Sequence, residues 1–163
     1  MSAKYRKKLL SRAAAARAVR RAQRRGERVV LTGGCFDLLH VGHARSLAAA
    51  RAMGDRLVVG VNADATVRRL KGAHRPIVPA RQRAEVLAAL ACVDWVVIFP
   101  EPTPRALIAA LAPDVYAKGG DWSLETLRAK DAPPGFRGRI RRLRQVPGVR
   151  TSAIVDRIKS TRA

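Results

Sequence analysis

Arg28-Val-Val-Leu-Thr32, Gly33-Gly-Cys-Phe-Asp-Leu-Leu-His-Val-Gly-His43 and Arg56-Leu-Val-Val-Gly-Val61 follow one another along the chain. The first is a short run of β-branched and aliphatic residues, and the second is a turn opened by two glycines. From about Gly42 to Met53 the pattern reads as a helix. The third run is apolar throughout, as a parallel strand covered on both faces would be. Strand, glycine turn, helix and strand make a βαβ unit, which places ligands at the carboxyl ends of the strands.

The alternation extends outward from this unit. Arg81 to Ala91 reads as a helix, Trp95 to Phe99 as a strand, Pro104 to Leu111 as a helix with proline in its first turn, and Val115 to Lys118 as a strand. Arg139 to Leu143 supplies a further strand, and Thr151 to Ile158 a closing helix capped by a hydroxyl residue. The polar stretch Asn62 to Pro79, with Lys71-Gly-Ala-His-Arg-Pro76 inside it, reads as a loop over a site. Upstream, Lys4 to Arg25 mixes Leu9, Leu10, Ala13, Ala14 and Val19 with basic residues, the pattern of an amphipathic helix ended by Gly26 and packed on the domain as an appendage. The expected fold class is α/β, a Rossmann-like doubly wound parallel sheet of about five strands with helices on both faces plus an N-terminal helix. Residues 1–27 would form that basic helix and 28–163 the catalytic domain.

Composition narrows the partners. The 163 residues suit one core, and 48% apolar with 4% aromatic content means that aliphatic side chains build it. Cys35 and Cys92 are too few for a disulfide framework, so a reducing cytoplasm is the expected home. No run of about 18 apolar residues is present to span a membrane. The net charge of +21 is uneven: residues 1–28 carry +10, residues 128–163 carry +9, and the 99 residues between carry +2. Solvated basic ends and contact with nucleic acid or another polyanion both account for that surplus.

The turn after the first strand matches neither G-x-G-x-x-G nor G-x-x-x-x-G-K-[ST], which disfavours a dinucleotide-binding dehydrogenase and a P-loop kinase. Two histidines separated by Val41 and Gly42 stand there instead. With a helix beginning near Gly42, His43 falls in its first turn and His40 just before it. Both could meet a phosphate held on the helix N-terminus, or be a core histidine and a cap.

Gly34-Cys-Phe-Asp-Leu-Leu-His-Val-Gly-His43 resembles the G-x-F-D-x-x-H-x-G-H signature of the cytidylyltransferase-like nucleotidyltransferases. Gly54-Asp55-Arg-Leu-Val-Val-Gly-Val-Asn62, Leu70-Lys-Gly72 with Arg75-Pro76, Ala89-Leu-Ala-Cys-Val-Asp-Trp95 and Val115-Tyr-Ala-Lys-Gly-Gly-Asp121 extend the likeness over roughly residues 5–159. It is greatest to the heptose 1-phosphate adenylyltransferases. The resemblance implies AMP transfer from ATP to a sugar 1-phosphate with loss of pyrophosphate, Mg²⁺ carried by the triphosphate, and a homodimer. It further implies that His40, His43 and Lys71 are catalytic. Gly34, Cys35, Phe36, Gly42, Gly119, Asp121, Arg150, Thr151 and Ser152 would line the nucleotide, and Asp37, Lys71, Arg83 and Lys118 the acceptor. Lys118 and Asp121 could instead simply pair with each other.

Two positions depart from the family pattern. In Gly148-Val-Arg-Thr-Ser152 an arginine stands where relatives carry the first of three hydroxyl residues, and Gly33 stands where many carry asparagine. The competing assignments are CMP transfer from CTP to glycerol 3-phosphate, which Trp122 favours, and a non-enzymatic polyanion-binding module. A fragment of a class I aminoacyl-tRNA synthetase is opposed by the short chain and the absence of a K-M-S-K-S-like motif.

Overall fold

A computed structural model describes residues 4–120 and 122–161. The strands β1 (Val29–Gly34), β2 (Arg56–Asn62), β3 (Trp95–Phe99), β4 (Val115–Gly119) and β5 (Arg139–Leu143) form one parallel sheet in the order β3-β2-β1-β4-β5. Winding runs one way from β1 through β2 to β3 and the other way through β4 to β5. The reversal opens a crevice between the carboxyl ends of β1 and β4, where sheets of this kind bind ligands.

Alternation along the strands sorts the core into two layers. Val29, Leu31, Val58, Val97, Phe99, Tyr116 and Ile140 face α1 (Arg12–Arg24), α5 (Arg105–Leu111) and α6 (Leu124–Asp131). Val30, Leu57, Val59, Val61, Val96, Val115, Ala117 and Leu143 face α2 (Val41–Arg51) and α4 (Ala80–Ala89). Leu31, Leu57, Leu87 and Leu107 are fully buried, so truncating any of them to alanine costs about 2–5 kcal/mol. On the outer strand β5, Arg139, Arg141 and Arg142 are exposed while Ile140 and Leu143 point inward, which discourages edge-to-edge association.

Five readings of the sequence are corrected. The N-terminal helix starts at Arg12, not Lys4, because the Ser11 hydroxyl accepts the Ala14 N–H (3.2 Å); Lys4–Lys8 form a 3-10 turn, and Leu10 donates to the Val96 carbonyl (2.9 Å). Its Ala15, Val19 and Ala22 are fully buried among β1 and α5 residues, so α1 is part of the core rather than an appendage. The stretch read as a loop holds α3 (Asp64–Lys71), which buries only Thr66 and Val67. Helix α6 was not expected from the sequence; the Ser123 hydroxyl caps it by accepting the Thr126 N–H (3.0 Å). The closing helix α7 (Thr151–Ser160) has Arg150 at its N-cap and no side-chain cap, so Thr151 is its first residue and no hydroxyl caps it.

At the amino ends of the strands, Asp55, Asp94 and Asp114 accept the N–H groups of Arg28 (2.7 Å), Leu57 (2.8 Å) and Val29 (2.8 Å). At the carboxyl ends the carboxylates Asp37, Asp64 and Asp131 are paired with Arg75, Arg83 and Lys118.

Candidate active site

The turn from β1 to α2 carries a paired imidazole. His40 is the N-cap of α2, with extended backbone (φ −142°, ψ 171°) and no side-chain cap; its carbonyl accepts the His43 N–H at 2.9 Å and the Ala44 N–H at 3.2 Å. His43 follows in the first turn, and the two rings stack at 3.8 Å between centroids and 19° between planes. Gly42 makes this possible, since a Cβ there would lie 3.0 Å from the His40 ring. Phe36, in the left-handed region at φ 49°, packs its ring 5.2 Å from that of His43 and against Gly34. The Nδ1 atoms of both histidines are buried without a well-aligned hydrogen-bond partner among the described residues, although the Leu38 backbone acts weakly on the His43 ring. Such atoms cost stability unless something pairs with them, so this pair is a candidate for ligand contact.

Burial, and then the neighbouring His40, lower the His43 pKa to about 4; burial lowers that of His40 as well. Both rings are accordingly neutral near pH 7. A neutral imidazole still donates one N–H to a phosphate oxygen.

Beside the imidazoles lies a knot of charges that the protein itself saturates. Asp37, 7% exposed, accepts from Arg75 Nη1 (2.8 Å) and from the N–H groups of Ile77 (2.7 Å) and Val78 (3.0 Å). Burial would raise its pKa, but Arg75 and the two amides outweigh burial and hold it below the ordinary value. Arg83, 2% exposed, donates from Nε to the Val78 carbonyl (2.8 Å), from Nη1 to the Cys35 carbonyl, and from Nη2 to the Asn62 carbonyl (2.8 Å) and Asp64 (2.7 Å). In this structure the polar groups of Arg83 and Asp37 that were expected at the acceptor bond to other parts of the chain. Their polar atoms are committed to holding the turn after β1, the end of β2, the start of α3 and the 75–78 segment in register.

Lys71 ends α3, and Lys71, Arg83 and Lys118 all act electrostatically on the Cys35 thiol; burial nonetheless raises the thiol pKa. Lys118, on the last turn of β4 before Gly119, pairs with Asp131 (2.6 Å), which also accepts the buried Tyr116 hydroxyl (2.7 Å). Lys118 thus has Asp131 as its carboxylate partner. Asp121 lies outside the described residues. The Lys118 and Lys130 ammonium groups sit 5.8 Å and 5.1 Å from the half-exposed Trp122 ring. Across the crevice, the Val149 carbonyl would lie 3.7 Å from a Cβ on Gly42, which brings Arg150, Thr151 and Ser152 beside the N-terminus of α2.

A surface groove of about 560 Å³ lies elsewhere, between the 3-10 turn, α4 and β3, and shares no residue with the histidine turn. Sequence reasoning missed Arg75, Asp64, Tyr116 and Asp131. Asp64 and Asp131 belong to helices that were not anticipated. Among the described residues, no helix is long and apolar enough to cross a membrane.

Unpaired imidazole nitrogens at a helix N-terminus, set where a parallel sheet reverses its winding, define a nucleotide-binding α/β protein. A family model described as cytidylyltransferase-like matches residues 31–162, and the chain belongs to that family of nucleotidyltransferases. It is 53% identical over 143 residues to a bifunctional protein HldE of Alkalilimnicola ehrlichii, covering 88% of this chain and 30% of the relative. To the HldE of Acidiphilium cryptum it is 50% identical over 154 residues, 94% of this chain and 32% of that one. The chain thus spans about three-tenths of the length of these relatives. The crystal structure of a lipopolysaccharide core biosynthesis protein from Thermoplasma volcanium superposes with a TM-score of 0.64 at 26% identity, covering 74% of this chain and 99% of the other.

Proposed function

We propose that the protein transfers AMP from ATP to the phosphate of a sugar 1-phosphate, a heptose 1-phosphate, giving an ADP-sugar and pyrophosphate. The carrying observation is the stacked His40–His43 pair with its unsatisfied buried nitrogens at the start of α2. An acceptor phosphate oxygen forms a bond to the α-phosphorus, the bond from that phosphorus to the bridging oxygen breaks, and the electron pair leaves with pyrophosphate. Catalysis is then positioning and charge stabilisation. His40 and His43 donate to α-phosphate oxygens where negative charge accumulates. Lys71 neutralises phosphates shared by the two substrates, Lys118 serves the acceptor, and the crevice between Gly34–Phe36 and Gly119–Gly120 holds the nucleoside. Arg150, Thr151 and Ser152 meet the outer phosphates.

The donors at this site are cationic or neutral, a set that suits phosphate oxygens rather than a bare cation, so Mg²⁺ would enter on the triphosphate. There it would offset charge on the departing pyrophosphate. We place the protein in the cytoplasm as a homodimer, with polyanion contact at the basic ends a separate property.

The second reading is CMP transfer to glycerol 3-phosphate, which Trp122 beside the β4 end keeps in view. Incubating the protein with each nucleoside triphosphate and a panel of sugar and polyol phosphates, and measuring pyrophosphate release, decides between them. A base pocket fitted to adenine leaves cytosine's groups unpaired, so ATP is expected to win by at least about tenfold in kcat/KM. Predominant CMP transfer overturns the adenylyl assignment, and no turnover with any phosphorylated acceptor overturns the transferase.

A further inference from the structure

We infer, on the transferase reading above, that Asp131 is a positioning residue: it holds the Lys118 ammonium at the crevice with donors left over for the phosphate of the acceptor.

Strand β4 carries Tyr116 and Lys118 two residues apart, so both side chains leave the same face of the sheet. Over that face lies α6, whose last residue, Asp131, is 2% exposed and accepts the Tyr116 hydroxyl at 2.7 Å and the Lys118 ammonium at 2.6 Å. The phenol fixes the carboxylate from the core side, and buried Leu127, one turn earlier, anchors α6. Pairing of Thr32 with Ala117 sets Lys118 level with the glycine turn after β1, where its charge acts on the Cys35 thiol. A cavity of about 20 Å³ beside the ion pair, lined by Trp122, Thr126 and Lys130, has room for about one water and none for a phosphate. A substrate therefore meets the ammonium from its exposed side, with Asp131 behind it.

An ammonium has three donors, and Asp131 takes one, which leaves two for phosphate oxygens. A free surface lysine surrenders the freedom of its four-carbon stem each time a substrate binds; Lys118 has surrendered it on folding. The carboxylate also repels the phosphate, so magnitudes decide the sign. Oxygens about 3 Å from the ammonium would stand roughly 5 Å or more from the carboxylate behind it, and with energies falling as the inverse of distance the attraction exceeds the repulsion. Preorganisation adds to that surplus. Asp131 itself touches no substrate and moves no proton.

The test is steady-state pyrophosphate release by the full chain with the substrate pair that the parent turns over fastest. Asp131→Asn is expected to raise the KM for the phosphorylated acceptor about fivefold, with kcat and the KM for the nucleoside triphosphate within about twofold of the parent. Combined with Lys118→Met, the same substitution should move the acceptor KM by less than about twofold, since a residue acting through the ammonium then has nothing to act on. Asp131→Glu keeps the carboxylate but pushes the ammonium outward by one methylene, so the acceptor KM should rise there too; this variant carries the test if Asp131→Asn does not fold. An acceptor KM that is unchanged or lowered in the folded variant, or that rises as much without Lys118 as with it, overturns the inference and leaves the transferase reading intact. A parent that releases no pyrophosphate with any nucleoside triphosphate and phosphorylated acceptor overturns both.

Discussion

Two groups of residues lie side by side at the carboxyl ends of β1 and β2, and they differ in one respect. In the knot of Asp37, Asp64, Arg75 and Arg83 each carboxylate has a guanidinium partner within the chain, and Arg83 donates from all three nitrogens while Arg75 donates from Nη1. In the row of His40, His43 and Arg150, two buried nitrogens have no partner and the guanidinium has no carboxylate among the described residues. Asp37, His40 and His43 come from one stretch, the one that resembles the family signature. Hydrogen-bond satisfaction tells them apart. A group paired within the chain stabilises the frame, while an unpaired buried one costs stability until a partner arrives.

The largest effect that would test this division is expected in the knot. Arg83→Met removes four donated hydrogen bonds and leaves Asp64 and three carbonyls short of partners in a buried site, so about 3–5 kcal/mol of stability should be lost, read as a shift in the denaturant midpoint. If the variant melts like the parent and only the KM for a phosphorylated substrate rises, Arg83 is a ligand contact and the division fails.

In the open row the signature should reverse. His40→Ala or His43→Ala is expected to cut kcat by roughly a hundredfold or more, about 2.7 kcal/mol at the transition state, with nucleotide affinity much less affected. The melting temperature should hold or rise, because an unpaired buried nitrogen disappears. A fully active double variant would sink the assignment.

A smaller effect is expected from pH. His43 has a folded pKa of about 4 against an ordinary value of 6.5, so above pH 6.5 it is neutral in both states and its contribution is fully present. As pH falls from 6.5 toward 4, the unfolded chain takes up a proton that the folded one resists, and stability declines. Asp37 and Glu101, whose pKa values are lowered below the ordinary carboxylate range, lose their contribution only at lower pH. The window between pH 6.5 and 5 thus isolates the histidines. Melting of the nucleotide-free protein across it should flatten in His43→Gln; an unchanged slope would show that the imidazole is not the group responsible.

The strands were legible because buried parallel strands write continuous apolar runs, as Leu57–Val61 and Trp95–Phe99 do. Helices α3 and α6 were not, because each is eight residues long and buries only two of them, too few to display a helical period. The same physics limits the site. His40 and His43 declare themselves by spacing, but Arg83 is held by the carbonyls of Cys35, Asn62 and Val78, and backbone acceptors leave no mark in a sequence. Asp131, the partner of Lys118, sits on one of the two helices that the sequence did not reveal.

Lys118 belongs to neither group cleanly, and it gives the smallest and sharpest test. Its ammonium is held by Asp131, as in the knot, yet a quarter of the side chain is exposed and it lies 5.8 Å from the Trp122 ring at the crevice. Asp131 is shared with Tyr116, whose phenol stays protonated because burial, then the carboxylate, hold its pKa far above the ordinary value. Tyr116→Phe deletes one neutral donor to a buried carboxylate that keeps Lys118, so a loss of about 1 kcal/mol in stability is expected, with kcat and KM within about twofold of the parent. That variant calibrates what a purely structural change at Asp131 does to turnover. Against this baseline, Lys118→Met should raise the KM for the phosphorylated acceptor about tenfold if the ammonium reaches the substrate, beyond its stability cost. Should Lys118→Met lower the melting temperature and leave KM at the Tyr116→Phe value, Lys118 joins the saturated frame, and the acceptor phosphate must be held by Lys71 and the histidine turn alone.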